Sequence, residues 1–166
     1  MLNRIMRAAA CAALIGLGLG VAAPAFAELG GTPTPPPPGA SVRSLSPIVH
    51  AQSGVASAAS STAFSVTQTT LPSGSSVREY VSAAGTVFGI AWNGPTMPDL
   101  STLLGAYFTQ YDSARVAQRT AQPGRGPLNL EMPGLVVRSG GHMGAFSGQA
   151  YLPQSLPAGV SAADIQ

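Results

Sequence analysis

The sequence predicts an α+β domain built on an antiparallel sheet of about five to six strands, preceded by a disordered arm. Three observations predict it. Short β-forming runs alternate with glycine-containing turns from about residue 63 onward, one stripe of leucines and aromatics recurs at helical spacing, and the texture before residue 63 is poor in anything that could be buried.

The first strand is FSVTQTT (64–70), which alternates apolar and polar residues at its start and is rich in β-formers. LPSGS (71–75) is a turn cluster. VREYVS (77–82) and TVFGIAW (86–92) flank a short loop in which Gly85 takes the positive-φ position, so the three strands form a meander. Thr96-Met97-Pro98-Asp99 then resembles a capping box with Thr96 as N-cap, Asp99 reaching back and Pro98 in the first turn. Leu100, Leu103, Leu104, Tyr107, Phe108 and Tyr111 follow on one helical stripe that should lie on the sheet. The helix is expected to fray after Asp112 and to end by AQPGRGP (121–127). LNLEM (128–132), LVVRS (135–139) and HMGAFSGQAYL (142–152) are three more strands, and Val160 to Ile165 suits a last helical turn.

The beginning of the chain has the grammar of an export signal. Arg4 and Arg7 precede an apolar stretch from Ala8 to Ala23, and Ala25-Phe26-Ala27 supplies the small-x-small pattern cut by signal peptidase, with cleavage expected after Ala27. The organisation expected is therefore a signal peptide at 1–27, a Pro/Ala/Ser-rich spacer at 28–62 and one domain at 63–166, in a bacterial protein that is periplasmic or secreted and keeps no membrane span. TPTPPPPG (32–39) favours polyproline II, and AQSGVASAASSTA (51–63) has almost nothing to bury. Such a spacer is read as a plain tether, with O-glycosylation as the alternative.

Cleavage would change the charge. The net charge of +2 comes from Arg4 and Arg7; beyond residue 27, six arginines (Arg43, Arg78, Arg115, Arg119, Arg125, Arg138) meet six acids (Glu28, Glu79, Asp99, Asp112, Glu131, Asp164). A neutral chain lacks the basic excess that a nucleic-acid partner demands. Beyond residue 27 there is also no cysteine and no lysine. That removes disulfides, thiolate nucleophiles, the usual structural zinc sites and Schiff-base chemistry.

Several stretches together, REYVSAAGTVFGIAWNGPTMPDL, GRGPL and VVRSGGHMGAFSGQAYLP followed by LPAGVSAADI, with LGG just after the expected cleavage point, resemble a family of small exported proteobacterial proteins known as a domain of unknown function. The resemblance implies export and a single domain. It brings no catalytic residue, cofactor or partner.

Three candidate sites follow from the residues themselves. Gly140-Gly141 between two β-like runs reads as a two-residue hairpin loop, which would set Ser139 directly across from His142 and Leu135 across from Phe146. A hydrolase would need a third group to orient the histidine and an oxyanion site, and GAFSG (144–148) misplaces its serine for a nucleophile elbow. Arg115 and Arg119 share a helix face and, with Arg125, offer an anion site or merely a basic helix end. His50 and His142 are the only histidines, too few for an expected metal site, and Glu79 beside Arg78 suits a cross-strand ion pair better than glycoside cleavage. The leading expectation is a non-enzymatic binding or accessory domain of the cell envelope, without cofactor or metal, whose partner is another envelope or secreted protein. A minor Ser139/His142 hydrolase and a small-anion binder using Arg115, Arg119 and Arg125 are the alternatives. An apolar binding face would require three or more of the domain's aromatics to cluster at the surface.

Overall fold

The computed structural model describes residues 28–33, 35–46 and 64–166. The expected signal peptide, and residues 47–63 with His50, lie outside them. Seven strands form one sheet: β1 (Ser41–Leu45), β2 (Phe64–Thr70), β3 (Ser76–Ser82), β4 (Val87–Gly94), β5 (Leu128–Met132), β6 (Leu135–His142) and β7 (Ala145–Tyr151). Their order is β1-β2-β3-β4-β7-β6-β5, and every neighbouring pair is antiparallel. The α+β class and the β2-β3-β4 meander are as the alternation predicts, with Gly85 at φ 81° in the loop between β3 and β4.

The seventh strand comes from the expected spacer, which needs correcting in its first part. β1 pairs along its whole length with β2. Ahead of it, Leu29 is only 1% exposed and sits in the main core. Gly30 N–H donates to Val87 O and Val87 N–H to Gly31 O, both at 2.8 Å, so the segment adds backbone pairing at the start of β4. A single leucine followed by two glycines and a proline run carries no periodic signal, which is why composition hides it.

Between β4 and β5 the chain makes a helical arm. It is α1 (Leu100–Leu104), a 3₁₀ turn (Gly105–Tyr107) and α2 (Phe108–Ala121). The break falls at Gly105, where φ is 48° and the Glu28 carboxylate accepts from Ala106 N–H. α2 does not fray after Asp112; Arg119 holds its end by donating to Gly124 O at 2.9 Å and Gly126 O at 2.7 Å. Leu100, Leu104 and Tyr111 are buried on the sheet, and Leu103, Tyr107 and Phe108 pack beside them.

The cap also differs from the expected box. Asp99 is the N-cap, accepting from Ser101 N–H at 2.9 Å, while Thr96 is engaged elsewhere: Ser75 Oγ donates to Thr96 O at 2.7 Å and accepts from Thr96 N–H at 3.1 Å. Hydrogen bonds from the Ser101 and Thr102 hydroxyls hold the Asp99 carboxyl below the usual carboxylate range. A depressed folded-state value means that the cap's contribution is present above the unfolded value and is lost as pH falls through the folded one. Asp99→Ala should cost about 0.5–2 kcal/mol at neutral pH, the range for lost caps. That difference from wild type should shrink below about pH 4, where the unfolded carboxyl protonates. Denaturant titrations read by Trp92, the one tryptophan in the chain, measure both. A difference that stays constant down to pH 2 would refute the charge-assisted cap.

Candidate functional site

The sheet has two unequal faces. The helical arm covers one, over Val77, Ile90, Trp92, Leu130, Leu135, Val137 and Ala150. On the other face, the chain after β7 covers only half. There Ile165, fully buried, lies with Phe64, Val66, Tyr80, Phe88, Val136 and Tyr151, and Leu156, Val160 and Ala162 pack alongside. Phe64 meets Phe88 edge-on at 5.7 Å between ring centres, and Tyr80 stands 6.2 and 6.3 Å from the two. The described aromatics thus go to the core or pack against it, except Phe146, half-buried near the β6–β7 turn. Among the described residues, the large apolar side chains that are exposed (Val42, Met97, Val116, Met143) are scattered over separate elements, which argues against an apolar binding face there.

The uncovered half of that second face is polar, and the strand register says why. Cross-strand partners share a face, and the chain of partners Arg43↔Gln68↔Arg78↔Ala91↔Gln149↔Arg138↔Asn129 crosses all seven strands. One step towards the β6–β7 turn, the row Ser76↔Asn93↔Ser147↔Gly140 is small and polar. One step the other way lies the apolar row Val66↔Tyr80↔Gly89↔Tyr151↔Val136 beneath the C-terminal cover. The long polar row therefore runs along the rim of the covered half.

A trough follows this row. A hollow of about 580 Å³ spans β3 to β5 over Arg78, Asn93, Gln149, Arg138 and Asn129. A second, of about 420 Å³, continues over β1 to β3 above Leu45, Val66 and Tyr80, one row nearer the C-terminal cover than Arg43 and Gln68, and shares Arg78 and Gln166 with the first. A third, of about 390 Å³, leads from Asn93 and Ser147 towards Gly144. Arg78 is held in place, donating Nε to Gln68 Oε1 at 3.0 Å and Nη1 to the Gln166 carbonyl. Tyr80 Oη anchors the same residue by donating to Gln166 O at 2.9 Å. Arg138 Nη2 lies 3.2 Å from Glu131 Oε1 in an exposed pair.

The candidates read from the sequence fall differently. The β6–β7 loop is Met143-Gly144, with Gly144 at φ 86°, and Gly140-Gly141 continue β6. Ser139 therefore faces Gly148, and His142 faces Ala145. Ser139 and His142 stand three residues apart on one strand and point to opposite faces, so the expected pair does not form. The physical reason is burial: this register sets Val137 beside Ala150 in the core, whereas the expected one would place it opposite Gly144 on the exposed tip. His142 is exposed, and its Nδ1 lies 3.1 Å from Met143 O.

The arginine cluster is engaged within the helix and its end. Arg115 Nε donates to Asp112 Oδ1 at 3.0 Å, a pairing that raises its pKa, and Arg119 ties the loop after α2 to the helix by donating to Gly124 O and Gly126 O. Arg125 lies in the exposed loop beyond. Glu79, expected on a cross-strand pair, is buried on the helix side opposite Ile90. Among the described residues no three His, Cys, Asp or Glu side chains gather as metal ligands, and no helix is long and apolar enough to cross a membrane.

Over residues 25–165 the chain matches the family described as a protein of unknown function, DUF2844. The chain belongs to the DUF2844 family. No curated protein and no solved structure matches it. The residues that this DUF2844 fold brings together, Arg43, Gln68, Arg78, Gln149, Arg138 and Asn129, are spread over six strands, from position 43 to position 149. Nothing in their spacing links them; only the register does.

Proposed function

We propose that this DUF2844 chain is exported and acts without catalysis, as a binding or accessory domain of the bacterial cell envelope. Export is supported by Arg4, Arg7, the apolar stretch to Ala23 and the Ala25-Phe26-Ala27 exit site. The observation that carries the binding half is the row with polar side chains on six of the seven strands, broken by Ala91 on β4, on the face the helical arm leaves open. Its guanidinium and amide groups are directional hydrogen-bonding partners in an open trough, suited to an extended polar surface. The opposite orientations of Ser139 and His142 support the non-catalytic half.

The test has two arms. Mass analysis of the chain recovered from a host with a periplasm should find a species beginning at Glu28 in the periplasmic or medium fraction. A chain retained with residue 1 in the cytosol would refute export. Mixed with washed envelope fragments and centrifuged, the chain should pellet with them, and Gln149→Ala combined with Asn129→Ala should reduce the pelleted share. A chain that stays wholly in the supernatant would refute the binding role.

A further inference from the structure

We infer that the trough binds a carboxylate-bearing polysaccharide, lying across the strands along the row from Arg43 to Asn129. This deepens the binding role proposed above and rests on it.

Three observations choose this ligand. The first is length and direction. Two hollows join at Arg78 and Gln166 and together run from β1 to β5 across the strands, with Arg43 and Gln68 on the register row beside the second. Six strand steps of about 4.8 Å give a path of about 29 Å. A ligand that fills it is an extended polymer. A single pyranose unit is comparable in length with one strand spacing, so a glycan laid across the sheet meets a new strand with each sugar.

The second is chemistry. The row carries guanidinium and amide side chains, with Ser147 and Gly140 leaving a low floor beside it. Amides of Gln149 and Asn129 each offer a donor and an acceptor, and Gln68, whose Oε1 accepts from Arg78, offers its NH2, which suits vicinal hydroxyls. Among the described residues Phe64, Tyr80, Phe88 and Tyr151 are buried, and Phe146 alone at the third hollow makes no series of stacking platforms of the kind single-stranded nucleic acid uses. Guanidinium forks match carboxylates in bidentate geometry.

The third is charge spacing. Arg43 and Arg78 stand two strands apart and Arg78 and Arg138 three, with an amide between each pair. A glycan whose carboxylates project to one side every second or third unit fits that interval. Glu131 is an acid in direct contact with an arginine of this row, and Asp164, whose carboxylate accepts from Ser161, lines the second hollow beside Arg78. The Glu131–Arg138 pair is exposed and therefore weak, so a ligand carboxylate can take the place of Glu131 on Arg138.

Calorimetric titration of the chain, as purified from the cells that make it, with an oligogalacturonate of about eight units tests this; six strand steps need about seven. Binding is expected, weakening as salt rises. Arg138→Ala and Arg78→Ala should each weaken it about tenfold or more, as loss of a hydrogen bond to a charged group does. Glu131→Gln should tighten it severalfold, an effect that misfolding cannot produce. A neutral cello-oligosaccharide of equal length should bind far more weakly. Equal binding by the neutral oligomer, binding to inorganic polyphosphate in preference to the uronate, or no heat with the uronate would each overturn the assignment. Pelleting with envelope fragments despite no uronate binding would reject this ligand and leave the binding role standing. Failure of both would reject the two together.

Discussion

Replacing Leu29 by alanine is expected to lower the stability of the folded chain by about 2–5 kcal/mol, the range for truncating a buried leucine whose site cannot fully collapse. The magnitude follows from where the side chain sits. Leu29 is 1% exposed and belongs to the same core cluster as Ile90, Leu104 and Leu152. Its backbone is held as well, with Leu29 N–H donating to Leu103 O at 3.2 Å. Gly30 and Gly31 clasp Val87 on one side, and Glu28 caps Ala106 on the other. Three residues on, Thr32 is exposed, and Thr32→Ala should stay within about 0.5 kcal/mol, as surface changes do. Denaturant unfolding followed by Trp92, itself 3% exposed, measures both. A Leu29→Ala chain as stable as wild type would mean that the domain begins near residue 63, as composition alone suggests.

That contrast locates what was legible in the sequence. Period-two alternation and turn glycines found β2, β3, β4 and their meander, because each signal is local and complete within a few residues. The stripe from Leu100 to Tyr111 found the helical arm, because an amphipathic face repeats. Leu29 and β1 went unseen because their contribution is wholly long-range. SVRSL is a strand only because β2 offers it a free edge. The cap was misplaced by three residues because Ser75, twenty-one positions away, takes Thr96 out of competition.

The candidate site was missed for a related reason. A Gly-Gly pair beside Ser139 and His142 looks like a loop, and a loop there aligns the two polar side chains. Burial of Val137 and Leu135 fixes a different register, with the turn three residues later, and the same shift aligns Arg138 with Gln149. Once that register holds, the whole row from Arg43 to Asn129 follows from pairing alone. Register is thus the step on which the functional reading turns, and one glycine reports on it.

Gly148→Ala should destabilise the fold by about 1–3 kcal/mol or more, as overpacking a well-filled core does. Gly148 pairs with Trp92 of β4 and Ser139 of β6 in the middle of the sheet. A Cβ there would overlap the Trp92 ring, coming within 2.6 Å of Cε2, and would stand 2.7 Å from the Arg138 carbonyl oxygen. Neither neighbour can yield cheaply. The carbonyl belongs to the β6–β7 ladder, and the indole is packed into the core with its Nε1–H already lacking a partner among the described residues. Trp92→Leu should itself be costly, yet combined with Gly148→Ala it should cost less than the sum, because the smaller side chain removes the ring half of the clash. The carbonyl half remains, so rescue should be partial. Thermal unfolding followed by circular dichroism, which does not need the tryptophan, completes the cycle. Additive losses would mean that the indole does not lie over the β7 backbone. Trp92 would then not stand opposite Gly148, and the register that sets Arg78, Gln149 and Arg138 in one row would fall with it.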